Sequence, residues 1–464
     1  MGTSKTKTAI IAALTTAIPT FASPQGGAGA TGGAGGLQVD LGVSSTLRVD
    51  DNFQQQPDSS GTTTIWDNRL SFGLTSIGTS QRLSFTGTGV LRFAEIPGRS
   101  VSGFEDPTLR FSYSADAANS RFTFDARYRS ADREFLDPFQ VEREEQLLGV
   151  LVGEGGTLTT SNLRFSYETG LNDPIGFRVT GSRADRDYAD VTNPSLFDAT
   201  TNDLALSTIF RVSPVTQITA TAAQTWYDAS DAPQTSRDTT DFSLGLRTDV
   251  TQTLVLDARI GYVDIQIDDL AGTPSRSGAT GSVGLTQTLT NGDASVSLAL
   301  TRNQNGDRTT LTFGRSYQLK NGTLAGTLGV SEGPTGATDV IASLSYSEQL
   351  KSSNFSVSLR RTANTNTQDV EVVDTRLTVG YGYDIDAISP SSVTFEYDRT
   401  EEDPGPLSPV ERASLRAAYT RQLTADWNLQ GGVLLRHIDD RAASGSAQSN
   451  SIFLTLDRSF SFRP

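Results

Sequence analysis

From Thr309 to Val330 the chain reads TTLTFGRSYQLKNGTLAGTLGV. Leu311, Phe313, Tyr317 and Leu319 fall on one side of it, and Thr310, Thr312, Gly314 and Ser316 on the other. Only an extended strand sends alternate residues to opposite faces, so a period of two predicts β-structure. Lys320-Asn321-Gly322-Thr323 then reverses the chain. Asn-Gly suits a two-residue hairpin whose central residues both take positive φ. Leu324, Gly326, Leu328 and Val330 resume the alternation on the way back. Variants of this hairpin, with one apolar face and one small polar face, repeat from about residue 37 onward.

Composition narrows what such hairpins can build. Only 36% of the 464 residues are hydrophobic, which is little for a chain with that much core to fill. No run of roughly 18 apolar residues occurs, which excludes membrane-spanning helices beyond the N-terminal segment. A transmembrane barrel resolves the tension, because one face of each strand meets lipid and the other meets water. With no cysteine and one methionine, disulfides, thiolate metal sites and cysteine catalysis are excluded. A net charge of −15 and the lack of a basic stripe interleaved with aromatics argue against nucleic-acid binding.

The N-terminus, MGTSKTKTAIIAALTTAIPTFASP, has Lys5 and Lys7 ahead of a short apolar stretch from Ala9 to Ile18. Small residues at Thr20 and Ala22 fit signal-peptidase cleavage after Ala22, and the apolar stretch is too short for an anchoring helix. Residues 1–22 therefore read as a signal peptide. Residues 23–36 read as a Gly-rich flexible lead-in, far too short to fold as a plug inside a barrel. Residues 37–464 read as the barrel.

Ten tight turns are expected, near Gly78, Ala117, Asn172, Pro214, Gln252, Gly292, Asn321, Ser353, Ser389 and Ala425. Between them lie longer, acidic connections: Asp50–Thr64, Ile96–Pro107, Ala131–Thr160, Arg186–Thr201, Ala229–Thr239, Asp268–Ser277 and Thr400–Val410. Strict alternation of short and long connections is the pattern of short periplasmic turns and longer extracellular loops. Ten two-strand units with an opening and a closing strand predict an all-β, antiparallel up-and-down transmembrane barrel of about 22 strands, within 18–24. Segments such as Thr365–Val373 leave that range open. Tyr113, Phe122, Tyr167, Phe177, Phe210, Tyr317, Tyr346, Phe355, Tyr383, Tyr419 and Trp427 all lie near a tight turn, nearly all on the apolar face. That is a girdle at one membrane interface. Arg315 and Arg458 share the lipid-facing parity. Phe313–Leu319 and Leu456–Phe462 align position for position, which puts both arginines near the turn end, where a long side chain reaches the headgroups.

The last stretch, SIFLTLDRSFSFRP, resembles the closing strand of bacterial outer-membrane β-barrels, with Ile452, Leu454, Leu456, Phe460 and Phe462 in alternation. Arg463 and Pro464 displace the usual terminal aromatic. The resemblance implies the outer membrane of a Gram-negative bacterium, with its lipid, its lipopolysaccharide and the barrel-assembly machinery as partners. It does not select a subfamily.

Arg110, Arg127, Arg164, Arg178, Arg247, Arg259, Arg360, Arg376, Arg416 and Arg436 have water-facing parity, as do Asp40, Asp125, Asp241, Asp257 and Glu396. Two readings fit: a charged channel that attracts anionic solutes, and a ladder of cross-strand ion pairs that keeps the wall hydrated. Asp50, Asp51, Glu105, Asp106, Glu142, Glu144, Glu145, Asp185, Asp187, Asp190, Glu401, Glu402 and Asp403 are placed in the long connections. Contact with divalent cations or lipopolysaccharide is one reading of them. A solvated surface is favoured, because no loop has ordered ligand spacing. Within 131–160, Glu142–Val152 has the pattern of a short helix with Leu147, Leu148 and Leu151 on one side. Folded inward it would narrow the pore; otherwise the flanking strands simply extend beyond the membrane. His437 is the only histidine and has no serine two residues away on its strand, so no enzyme signature, metal site or cofactor is expected. The functional expectation is porin-like passage of hydrophilic solutes. Exopolysaccharide export, a structural or surface-interaction barrel and, last, an outer-membrane hydrolase are the alternatives.

Overall fold

The computed structural model describes residues 36–136, 155–366, 369–402, 409–440 and 445–463. They form twenty-two antiparallel strands. The first eleven are β1 (Gly36–Asp50), β2 (Thr63–Ile77), β3 (Gln81–Ile96), β4 (Arg99–Asp116), β5 (Ser120–Asp132), β6 (Thr157–Thr169), β7 (Ile175–Ala189), β8 (Ala199–Ser213), β9 (Thr216–Ala229), β10 (Ser236–Asp249) and β11 (Leu254–Asp268). The others are β12 (Arg276–Leu289), β13 (Gly292–Arg302), β14 (Asp307–Leu319), β15 (Gly322–Glu332), β16 (Thr338–Gln349), β17 (Ser353–Thr365), β18 (Glu371–Asp384), β19 (Pro390–Glu402), β20 (Val410–Gln422), β21 (Trp427–Asp440) and β22 (Gly445–Phe462). Each pairs with the next, and β22 returns to β1 from Val39 opposite Phe462 to Asp50 opposite Ser451. The ring is closed, so no strand presents a free edge. The expected leader, the lead-in except Gly36, the Glu142–Val152 stretch with Glu142, Glu144 and Glu145, and Asp403 lie outside the described residues.

All ten expected tight turns join consecutive strands at one end, the turn end. The β14–β15 reversal comes one residue earlier than Asn-Gly suggests. Lys320 and Asn321 form the turn, and Gly322 opens β15 opposite Leu319. Neither turn residue has positive φ. Glycine is required at 322 because a Cβ there would run into the Ser347 carbonyl of β16. At the other end, the loop end, the Ile96–Pro107 connection is not long. Pro97 and Gly98 turn the chain at once, Gly98 at φ +84°, and β3 and β4 pair up to Ile96 opposite Arg99. A register shift between Thr88 and Val90 accommodates the extra length. Glu105 and Asp106 therefore sit within β4. Asp185, Asp187, Glu401 and Glu402 likewise lie in strands.

The outward face carries the apolar side chains: Leu41, Leu244, Leu298, Phe313 and Leu328 are among the large hydrophobics left exposed. Near the turn end, aromatic rings meet across strands, Tyr113 with Phe122 at 6.1 Å and Tyr346 with Phe355 at 5.9 Å. A second aromatic group, not foreseen from sequence, lies nearer the loop end, where Trp66 and Phe93 are 5.6 Å apart and both exposed. Arg315 bends to the turn end as expected. Its guanidinium donates to the Asp293 and Ser316 carbonyls at 3.0 and 2.7 Å and to Asn291 Oδ1 at 2.8 Å. Arg458 reaches Asp426, in the β20–β21 turn, at 3.8 Å. Depth explains why arginine is tolerated there. Leu298→Arg, in the middle of the apolar belt, is expected to cost about 2–4 kcal/mol, against about 0–1 for an arginine at the interface. Urea unfolding in phospholipid vesicles measures it; equal midpoints for wild type and variant would mean that Leu298 does not face lipid.

Candidate functional site in the barrel lumen

Asp369, between β17 and β18, accepts a hydrogen bond from Arg237 of β10 at 3.4 Å. Those strands are seven places apart on the ring, so the contact crosses the mouth. Arg237 alternates in step with Asp241 and Arg247, and that parity is the inner face.

All ten arginines expected on the water side have this parity. Several meet a carboxylate. Arg178 bonds Glu168 at 2.7 Å, Arg247 bonds Asp257 at 3.3 Å and Arg259 bonds Asp241 at 2.8 Å. Arg376 bonds Asp398 at 2.5 Å, and Arg436 bonds Asp50 at 2.9 Å. Arg416 donates to Gln430 Oε1 at 3.2 Å and lies 4.0 Å over the Phe453 ring. Arg110, Arg127, Arg164 and Arg360 are exposed. Among the described residues, Arg110, Arg164 and Arg360 form no ion pair. The inner faces of β12–β16 differ: at mid-height they carry Ser, Thr, Gly and Ala only. Hydroxyls pair there, Ser297 with Thr312 at 2.6 Å and Thr327 with Ser343 at 2.7 Å.

The wall changes character toward the loop end. Ile65, Ala94, Ile96, Ala131, Leu158, Val263, Ile265, Val372, Val410 and Ile438 alternate in step with the inner face and are buried. Over β2 and β3 the covering groups are described. Phe53 packs on Ile65, Ala94 and Ile96, and Phe135, from the 3-10 turn Arg133–Phe135, joins them. The two rings are 5.7 Å apart, and the Arg92 guanidinium lies 4.2 Å over Phe135 while bonding Asp67 at 2.8 Å. Gln54 Nε2 donates to Glu134 at 3.0 Å, and Arg99 also bonds Glu134. The first residues of the β5–β6 connection, as far as Phe135, thus pack inward, and the Glu142–Val152 stretch lies outside the described residues. On the other side the tip of the β17–β18 hairpin reaches the β13–β14 turn. Asn303 Nδ2 donates to Thr365 at 2.6 Å, Asn305 Nδ2 donates to Glu371 at 3.0 Å, and Arg308 bonds Glu371.

A dense polar cluster lies at the seam. Asp50, fully buried at the end of β1, accepts from Arg436 of β21 at 2.9 Å, Arg48 at 2.6 Å, Ser449 Oγ of β22 at 2.7 Å and the Asn52 amide at 3.1 Å. Asp50 was expected on a solvated loop; burial and two arginines make it a structural hub instead. Glu401, expected there too, is held by Arg361 at 3.1 Å and Arg399 at 2.7 Å. Among the described residues no group of histidines and carboxylates could hold a metal ion. At the turn end, the Ile388 amide, followed by Ser389 and Arg421, holds the Asp386 carboxyl below the usual range. His437 has outward parity, between Ala413 and Gln448, with no serine in register beside it.

No protein-family model matches the chain, and no curated protein matches it. Solved structures do match in fold. The ferric-catecholate import receptor Fiu of E. coli K12, open form, superposes with a TM-score of 0.60 at 11% identity, covering 93% of this chain and 82% of that one. The FrpB iron transporter of Neisseria meningitidis gives 0.61 at 8%, covering 92% and 82%. A ferric enterobactin receptor (PfeA) variant of Pseudomonas aeruginosa gives 0.53 at 11%, covering 92% and 81%. At these identities the likeness establishes the fold, a closed 22-strand outer-membrane-type barrel.

Proposed function

We propose that this barrel sits in the outer membrane of a Gram-negative bacterium and passes hydrophilic solutes through its lumen. The carrying observation is the division of the wall. Apolar residues and two aromatic groups cover the outside, while exposed arginines, carboxylates and hydroxyls line the inside. Lipid demands the first and a water-filled path the second. The fold neighbours are by name receptors and a transporter, which supports carriage of a solute over chemistry. Residues 1–22 would be the leader removed on export and 23–36 the lead-in, placing the turns in the periplasm. Lipid, lipopolysaccharide and the assembly machinery would then be its surroundings.

A second reading is favoured by one asymmetry. Lumen side chains are exposed through the middle of the barrel and buried at the loop end, as suits a vestibule filled from the periplasm and opened outward, for example in export of an exopolysaccharide. Single-channel recording of the refolded chain separates the two. Passive passage predicts steady conductance without partners, and the export reading predicts silence until the loop end is opened. A barrel that stays silent after opening would sink both, leaving a structural role.

A further inference from the structure

Gln224 of β9 alternates in step with the exposed Ile218, on the outer face of the barrel. It stands between Leu204 of β8 and Thr240 of β10. The Thr240 hydroxyl donates to Gln224 Oε1 at 2.5 Å. That bond fixes the amide and leaves its NH2 over, and among the described residues the NH2 has no partner. Trp226 lies on the same face, one outward position nearer the loop end. The arrangement recurs on β1 and β2. Trp66 Nε1 donates to Ser45 Oγ at 2.8 Å, and Ser45 donates to Asn68 Oδ1 at 2.9 Å, so the Asn68 NH2 is left over in turn. Trp66 is again one outward position toward the loop end. Tryptophan marks the level at which an apolar belt gives way to headgroups, which places both amides just inside that level. An N–H facing hydrocarbon without an acceptor is costly. The carbonyls that join acyl chains to a lipid headgroup lie at the same boundary.

Gln224 differs from Asn68 in what lies beneath it. Next toward the turn end, Ala222 stands between Leu206 and Phe242, and below it Ala220 stands between Thr208 and Leu244. Alanines flanked by larger outward side chains leave a trough. A groove of about 520 Å³ opens there and extends to Ile260 and Tyr262 of β11. Beneath Asn68 the same column carries Leu70 and Phe72, which fill the wall.

We infer that the β8–β11 groove seats an acyl chain of a lipid in the loop-end leaflet, with the linkage carbonyl of that chain accepting from the Gln224 amide. The match is one of chemistry along a line. The groove is walled by apolar side chains, opens sideways on the lipid-facing wall and ends at a donor that needs an acceptor. An acyl-linked lipid carries an acceptor directly joined to a long apolar chain. The inference rests on the membrane placement proposed above and is indifferent to what passes through the lumen.

The test uses the full refolded chain in nonionic detergent, with diester phosphatidylethanolamine as the probe. Its diether analogue keeps the chains and lacks the carbonyls. Native mass spectrometry counts the lipid retained, and the wild type is expected to hold the diester lipid several-fold better than the diether. Gln224→Leu should lower diester retention to the diether level. Ala222→Phe, which fills the trough, should lose both lipids, whereas Ala342→Phe, on the outer face of β16, should lose neither. Asn68→Leu should likewise leave retention unaltered, because no trough lies beneath that amide. Should Gln224→Leu not refold, the comparison of the two lipids on the wild type decides. Equal retention of both lipids by the wild type, retention unmoved by Ala222→Phe, or a dimer that Ala222→Phe dissociates overturns the proposal. A chain that does not insert into phospholipid vesicles would defeat the membrane placement as well. Equal retention by a chain that does insert would defeat this inference alone.

Discussion

Asp50→Ala should destabilise the barrel by about 3–5 kcal/mol, the cost of stranding a buried charge once its partner is removed. Asp50 is fully buried, and Arg436 beside it has a side chain only 5% exposed. Removing the carboxylate takes the acid from beside Arg436, which also donates to Ser449 Oγ and the Phe53 carbonyl at 2.8 and 3.4 Å, and leaves Arg48 without its acid. The loss falls where the ring closes, since the cluster ties β21 and β22 to β1. Arg436→Met should cost less, because Asp50 keeps Arg48, Ser449 and the Asn52 amide. The pair Asp50→Leu/Arg436→Met should recover part of the loss of the first change, since an apolar replacement of a buried ion pair is often neutral. Guanidinium unfolding in vesicles, followed through the three tryptophans, measures all three. An additive double variant would show that the two groups do not act as a pair.

Why the sequence reveals the barrel and hides this seam is a matter of range. Alternation is local: Leu311, Phe313 and Tyr317 announce a strand face without knowledge of any partner, and the turns between strands carry their own residue chemistry. Strand number follows from counting them. The Asp50–Arg436 contact joins residues 386 positions apart, and DNFQQQ reads as a polar loop because nothing local shows that Phe53 will turn into the lumen. The Pro97–Gly98 turn was misread for a related reason. The acidic pair Glu105-Asp106 resembles loop composition, whereas Asp106 is neutralised inside the sheet by Arg129. Parity assigned the ten lumen arginines to a face. Whether each meets an acid depends on register between strands, so the contrast between Arg259, bonded to Asp241, and Arg110, opposite Arg127, emerges only from the pairing.

Phe53→Ala/Phe135→Ala should open the loop end on the β1–β5 side and leave the ring intact. Each truncation of a packed aromatic removes about 3–5 kcal/mol of contact, but here the loss falls on the docking of two connections, not on the strand ladder. Adding Asp369→Ala removes the contact with Arg237 that crosses the mouth. The triple variant is expected to keep the heat-modifiable gel mobility of a folded barrel and to conduct several-fold more than wild type, since pore width and lining set conductance. The chain's lack of cysteine allows a second readout. Ala94, only 2% exposed beneath Phe53, becomes a lone thiol in Ala94→Cys. That thiol should react slowly with a charged maleimide in the closed barrel and many-fold faster in the triple variant. Fast labelling in the otherwise unaltered barrel would mean that the loop end already stands open in the membrane. In that case the asymmetry between the two ends of the lumen, and with it the export reading, would lose its support.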